Sequence, residues 1–174
     1  MSPLRIMALP SITVSAENGV KYYSGTAVYK KIFDMPSRQI KNKKLVLLLD
    51  IGSVKHIARV KINNTDLGVI WTATWQVKIT AGLLKVSGNQ LIIEVTNVWA
   101  NRLIGDEQEP SDCEWIPGYI SGGFSLKEFP EWFLNKQPRP SKGRYCFTTW
   151  NYFTKDSPLI SSGLLGPVRI LQQE

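Results

Sequence analysis

Three segments alternate apolar and polar side chains with period two, and this constrains the fold more than anything else in the chain. From Ile57 to Asn63, Ala58, Val60 and Ile62 face one way while Arg59, Lys61 and Asn63 face the other. Trp75, Val77 and Ile79 alternate with Gln76, Lys78 and Thr80, and Leu91, Ile93 and Val95 oppose Ile92, Glu94 and Thr96. A period of two puts one side of an extended chain on a core and the other in water, which marks half-buried strands. The continuous apolar run Leu45–Leu49 predicts an inner strand, and Tyr22–Phe33, rich in Tyr, Val, Thr and Ile, predicts a long strand with a bend at Gly25. Asn64-Thr65-Asp66 reads as a turn before a strand at Leu67–Trp71, and Val168–Leu171 is expected to close a sheet edge. Short strands at this spacing predict an all-β fold, an antiparallel β-sandwich or jelly roll.

Two stretches break the pattern. Thr80–Gly88 is too polar and Gly-rich for a core helix and reads as a crossing connector. Residues 109–141 carry Pro110, Pro117, Pro130, Pro138 and Pro140 with Gly118, Gly122 and Gly123, so most of this region is expected to be loop. Leu126–Leu134 can hold a short helix with Trp132 and Phe133 packed inward. Strand-like sequence resumes at Tyr145. The region is therefore read as a loop-rich insertion in a single domain, 1–174, without internal repeats.

The chain has 174 residues, 43% of them hydrophobic, enough for one domain with a real core. Its formal net charge is +7. A basic balance can mark a nucleic-acid partner, but here the Lys and Arg are spread thinly. The one dense run, Lys41-Asn42-Lys43-Lys44, reads as a solvated turn, and no recognition helix, RNA-binding aromatic motif or zinc-finger spacing is present. Nucleic acid is not the expected partner. No stretch is long enough to span a membrane, and Met1–Pro10 lacks the basic start and apolar run of a signal peptide. Cys113 and Cys146 are too few for a disulfide scaffold or a zinc site; they read as free thiols unless the fold brings them together to pair. Asn63-Asn64-Thr65 matches a glycosylation pattern but falls in a hairpin turn.

Candidate functional residues concentrate in two segments, Thr96–Glu107 and Arg144–Val168. Both gather Trp, Asn, Arg and carboxylates where a strand gives way to a loop. That mixture suits a sugar, whose C–H face stacks on an aromatic ring while its hydroxyls meet planar polar groups. Trp71, Trp99 and Trp150 are candidate stacking faces; Asn101, Arg102, Asp106 and Glu107 are candidate hydrogen-bonding groups. Each has a plainer reading: core packing for the Trp rings, Trp75 above all, and salt bridges to Arg102 or Arg144 for the carboxylates.

Catalysis is not expected of this chain alone. Glycoside hydrolysis needs two carboxylates, about 5–5.5 Å apart for retention or about 6.5–9.5 Å for inversion. Asp106 and Glu107 are adjacent, and on an extended segment they would point to opposite faces. His56, the one histidine, sits among polar residues beside Lys55 with no nucleophile motif nearby. No His/Cys/carboxylate spacing suggests a transition metal, and no cofactor is required. A structural calcium is compatible with Asp50, Asp106, Glu107 or Asp156 as oxygen donors, with no assignment among them.

The residues resemble a known family. The stretch Leu45–Val54, continued by Ala58–Asn64 and Leu67-Gly68-Val69, looks like the sugar-binding (galactose-binding-like) jelly roll of β-galactosidase and β-glucuronidase type glycoside hydrolases. So does Ile79-Thr80 with Leu83-Leu84-Lys85, Gly88–Leu91 and Glu94–Asn97. Tyr23–Ala27, Asn101–Glu107, Arg139-Pro140-Ser141 and the Phe147–Val168 segment are similar to the carboxy-terminal domain of large α-L-rhamnosidase-like enzymes. In such enzymes the catalytic carboxylates lie on a separate barrel, which needs on the order of 200 residues or more. The resemblance thus implies a non-catalytic carbohydrate-binding accessory domain with carbohydrate and a catalytic barrel as partners, in the periplasm or outside the cell. Its alternative is a structural module that packs on that barrel without sugar affinity of its own, since aromatics and Arg are also what interfaces enrich.

Overall fold

The structure is a computed structural model that describes residues 4–7, 10–41, 45–118 and 123–173. The chain forms two compact units, one of Met1–Val14, Gly25–Val98 and Ser161–Glu174, the other of Ser15–Ser24 and Trp99–Ile160. In chain order the strands are β1 (Leu4–Met7), β2 (Thr26–Phe33), β3 (Val46–Asp50), β4 (Ser53–Lys55), β5 (Ile57–Ile62), β6 (Thr65–Ile70), β7 (Gln76–Lys78), β8 (Asn89–Thr96), β9 (Trp115–Pro117), β10 (Phe124–Leu126), β11 (Trp150–Asn151), β12 (Gly163–Gly166) and β13 (Val168–Gln173). Among the described residues four short α-helices accompany them, α1 (Asn18–Lys21), α2 (Ser37–Lys41), α3 (Ala100–Asp106) and α4 (Glu131–Leu134), with a 3-10 turn at Ile12–Val14.

The first unit holds two antiparallel four-stranded sheets, ordered β1-β13-β3-β7 and β2-β8-β5-β6, and a two-stranded pair β12-β4. The alternation in the sequence is realised as cross-strand pairs. Ala58 lies opposite Val95, Val60 opposite Ile93 and Ile62 opposite Leu91, and all six are buried. Leu49, Val168 and Ile170 from the other sheet join the same apolar cluster, so both sheets bury one core. On the outer side, charges pair along the strands: Lys61 Nζ meets Glu94 at 2.9 Å, and Arg59 meets Asp66. Mostly-β, antiparallel architecture follows the sequence expectation. Leu45–Leu49 appears as the inner strand β3, and Thr80–Gly88 as a connector without helix.

Three details differ from the sequence reading. The β5–β6 turn lies one residue earlier, at Asn63 (φ 48°) and Asn64 (φ 66°), both in the left-handed region that Asn tolerates and that two-residue hairpins require. Thr65 and Asp66 already belong to β6. The strand expected from Tyr22 begins at Thr26, because Asn18–Lys21 forms a helical turn that ends at Tyr22. Finally, β13 is not an edge: β1 pairs outside it, with Leu4 opposite Ile170. Four residues with one buried position, Ile6, carry too little alternation to announce a strand.

The β5–β6 turn is tied to β8 by a buried polar hub. Asn89 Oδ1 accepts the Lys85 N–H at 2.8 Å and Asn63 Nδ2 at 3.0 Å. Its Nδ2 donates to the carbonyls of Lys85 and Phe33 at 2.7 and 3.3 Å. The Asn63 amide also donates to the Leu83 carbonyl, so the side chain of the glycosylation pattern is spent inside the fold.

The second unit has little apolar core. Among its described residues only Tyr22 and Ile104 are buried hydrophobics. Its three-stranded sheet runs β11-β10-β9. The region read as an insertion, 109–141, lies inside this unit and includes the expected short helix, α4. Trp132 packs edge-on to Phe133 and Phe147, and Phe133 stacks on Phe147 with centroids 4.5 Å apart. The expected inward packing holds for the half-buried Trp132 but not for Phe133, which remains exposed because α4 is a single turn that buries none of its residues.

Candidate functional site

Segment 96–107 is not extended to its end. Ala100–Asp106 is helical, and Ala, Arg and Leu favour that conformation. Its buried residues are Asn101, Ile104, Gly105 and Asp106; the first three share one helix face, and Asp106 is buried on the flank beside Arg102. Gly105 is required there, because a Cβ would sit 2.6 Å from both the Tyr22 Cβ and Arg102 Nη2. Asn101 clamps the Ile160 backbone, donating to its carbonyl at 2.7 Å and accepting its N–H at 2.8 Å.

Three Arg–carboxylate pairs do the work that a larger apolar core would do elsewhere. Arg102 Nε donates to Asp106 at 3.0 Å, one helical turn apart. Asp106 also accepts the backbone N–H groups of Tyr145 and Cys146 at 3.2 and 2.7 Å. Arg144 grips Glu107 with two nitrogens, at 2.9 and 3.3 Å, and donates to the carbonyls of Glu109 and Pro110. Arg139 Nη2 donates to Asp112 at 3.1 Å and Nη1 to the Cys146 carbonyl at 2.8 Å, with the guanidinium 5.5 Å from the Trp132 ring centre. Such charge-assisted forks fix backbone segments that lack regular structure.

These partners shift the groups beside them. Burial works against the charge of Asp112, but the hydrogen bonds and charge of Arg139 more than offset it, so its carboxyl lies below the usual range. Burial, then the adjacent Asp112 carboxylate, pushes the Cys113 thiol up to about 11. Cys146 is raised by burial and by Asp106. Both cysteines are free thiols.

Six of the seven residues marked in the sequence fall in this unit, and Trp71 falls in the other. Asp106, Glu107 and Trp150 line one cavity of about 150 Å³ together with Arg144 and Cys146. Asn101, Asp106 and Glu107 have their side-chain polar atoms engaged within the protein, and Arg102 engages Asp106 through Nε, as the salt-bridge reading of the carboxylates anticipates. Trp99 and Trp71 are each 71% exposed, while Trp75 packs against the core. Trp71 borders a shallow groove of about 330 Å³ formed by the β6–β7 segment. Among the described residues, no three His, Cys, Asp or Glu side chains converge as metal ligands. Of the oxygen donors considered for calcium, Asp50 binds Arg169 and the Gly52 N–H.

A larger feature escaped the sequence. An open cleft of about 590 Å³ is lined by Trp115, Phe124, Tyr152 and Phe153, with Glu107, Asn151, Thr154 and Lys155 as its polar members. The run Trp150-Asn151-Tyr152-Phe153 was the available signal. Trp115 and Phe124 lie in the Pro- and Gly-rich stretch, where nothing in the sequence joins them to it.

The chain aligns with small parts of much longer known proteins. It is 41% identical over 171 residues to a proposed β-glucuronidase of Formosa agariphila, an alignment that takes in 98% of this chain and 14% of that protein. Its structure superposes on the rhamnosidase of Novosphingobium sp. PP1Y with a TM-score of 0.69 and 29% identity, covering 95% of this chain and 12% of the enzyme. Its relatives are glycoside hydrolases. The chain spans only about a seventh of the Formosa agariphila protein's length. A β-glucuronidase of Ruminococcus gnavus matches 52% of the chain with a TM-score of 0.45. No protein-family model matches the chain.

Proposed function

We propose that this chain is a non-catalytic carbohydrate-binding accessory domain of a glycoside hydrolase, α-L-rhamnosidase-like or of β-galactosidase/β-glucuronidase type, with a galactose-binding-like jelly roll as its frame. The observation that carries this reading is the lopsided coverage: nearly all of this chain aligns with a small part of a long relative. The engagement of Asp106 by Arg102 and two backbone N–H groups, and of Glu107 by the Arg144 fork, supports it, because carboxylates held in this way are poorly free to act as acid and base. The same reading puts the chain in the periplasm or outside the cell. Intrinsic Trp fluorescence titrated with L-rhamnose, D-galactose and D-glucuronate, with and without calcium, tests it. A saturable change with one sugar is expected; a flat response across the panel removes the binding role.

A second reading, a module that packs on a separate catalytic barrel, is favoured by one feature. Phe129 and Phe133 stack at 5.5 Å yet remain exposed, beside the exposed Leu134. Apolar surface of that kind marks interfaces. Co-expression with the remainder of a related hydrolase, followed by size-exclusion chromatography, tests it: co-elution lost in Leu134→Asp supports the packing role.

A further inference from the structure

We propose that the saccharide site of this chain is the cleft walled by Trp115, Phe124, Tyr152 and Phe153; the proposal rests on the carbohydrate-binding reading and gives it a location. Four properties of the cleft carry it. Its size, about 590 Å³, fits a ligand of one or two pyranose rings. Its walls are aromatic and open to solvent: Tyr152 is 64% exposed and Phe124 is also exposed, so ring faces are available for C–H stacking.

Its frame is fixed before any ligand arrives. The Trp115 indole N–H donates to Ser111 Oγ at 3.0 Å, which sets the ring plane. Beneath the hairpin of β9 and β10, Trp150 packs so closely on Gly118 and Gly123 that a Cβ at either would overlap the indole. The segment after Tyr152 is pinned twice: Gln108 Nε2 donates to the Lys155 carbonyl at 2.9 Å, and the Thr154 N–H donates to Ser157 Oγ at 2.9 Å. Binding therefore orders little additional chain, and little of the stacking energy is lost to entropy.

The charge balance sets the ligand class. Among the described residues that line the cleft, Glu107 is the one carboxylate, and Arg144 holds both of its oxygens. Lys155 stands at the rim and enters no ion pair among the described residues. The cleft therefore accepts neutral or acidic saccharides and rejects cationic amino sugars.

Ligand-detected saturation-transfer NMR on the full chain, with methyl pyranosides of rhamnose, galactose and glucuronic acid as probes, tests the location. Tyr152→Ala removes an exposed ring, with circular dichroism checking that the fold is kept; Phe124→Ala is the second cleft variant, and Trp71→Ala is the control in the other unit. Binding to the unaltered chain that weakens by about tenfold or more in both cleft variants, and is unchanged in Trp71→Ala, is the expected result. Binding that survives both cleft substitutions overturns the location while the accessory-domain reading stands. Silence of the unaltered chain with every probe overturns the carbohydrate reading itself.

Discussion

Asp106 accepts the backbone N–H of Cys146 at 2.7 Å across forty residues of sequence. With Tyr145 N–H and Arg102 Nε on the same carboxylate, one side chain ties α3 to the strand-less segment that follows Arg144. The carboxylate is 3% exposed, so each of these bonds is made away from water.

Replacing Asp106 by Ala is therefore expected to strand a guanidinium and two amides together, at a cost of about 3–5 kcal/mol. Asp106→Asn keeps an acceptor but loses the charge, and a loss of roughly 1.5–3 kcal/mol is expected. Urea unfolding followed by Trp fluorescence separates the two. Equal losses would mean that the neutral acceptor of Asn replaces nothing and that the interaction depends wholly on the charge.

Asp112 and Arg139 set an acid limit. The Asp112 carboxyl titrates below its unfolded value, about 3.9. Its contribution to stability is therefore fully present above that pH and is lost as pH falls through the folded value. In Arg139→Met burial is opposed only by the Cys113 thiol and a backbone N–H, so the carboxyl rises and the acid-side loss shrinks: the variant starts less stable but loses less than the parent as pH falls. Thermal midpoints measured from pH 7 to pH 2 for both proteins check that the two profiles converge at acid pH.

How far the sequence disclosed these features depends on what each element buries. The strands β5 and β8 were legible because Ala58, Val60, Ile62 and Leu91, Ile93, Val95 put aliphatic side chains at every second position. Helix α3 was hidden because its buried residues are Asn101, Ile104, Gly105 and Asp106, so the 3.6 period carries polarity and a glycine rather than apolar residues. The pairing of Glu107 with Arg144 was one of the alternatives the residues allowed, and geometry selected it. The aromatic cleft was not legible, since Trp115, Phe124 and Tyr152 meet only through pairing of three strands that are two or three residues long.

The thiols offer an independent probe of the second unit. With Cys113 raised to about 11 by burial and by Asp112, its thiolate fraction at pH 8 is on the order of a hundredfold below that of a free cysteine. Iodoacetamide labelling at pH 8, read by mass spectrometry, is expected to be slow at Cys113 in the native chain. It should become fast in urea. Rapid native labelling would contradict the packing around Asp112.

Asn89 is the corresponding polar point in the first unit, with all four hydrogen-bonding positions of its amide used and no exposed surface. Asn89→Ala leaves the Lys85 amide and two carbonyls without partners and is expected to cost on the order of 3 kcal/mol. Asn89→Asp is more informative, because its second oxygen would face the carbonyls of Phe33 and Lys85, which accept and cannot donate. At neutral pH this variant should be no more stable than Asn89→Ala. Protonation restores a donor, so the folded carboxyl titrates above its unfolded value and the variant gains stability as pH falls from 7 toward 4. A chemical-denaturation series across that range distinguishes the two variants: a flat profile for Asn89→Asp would show that its side chain escapes to solvent and that the hub is not closed.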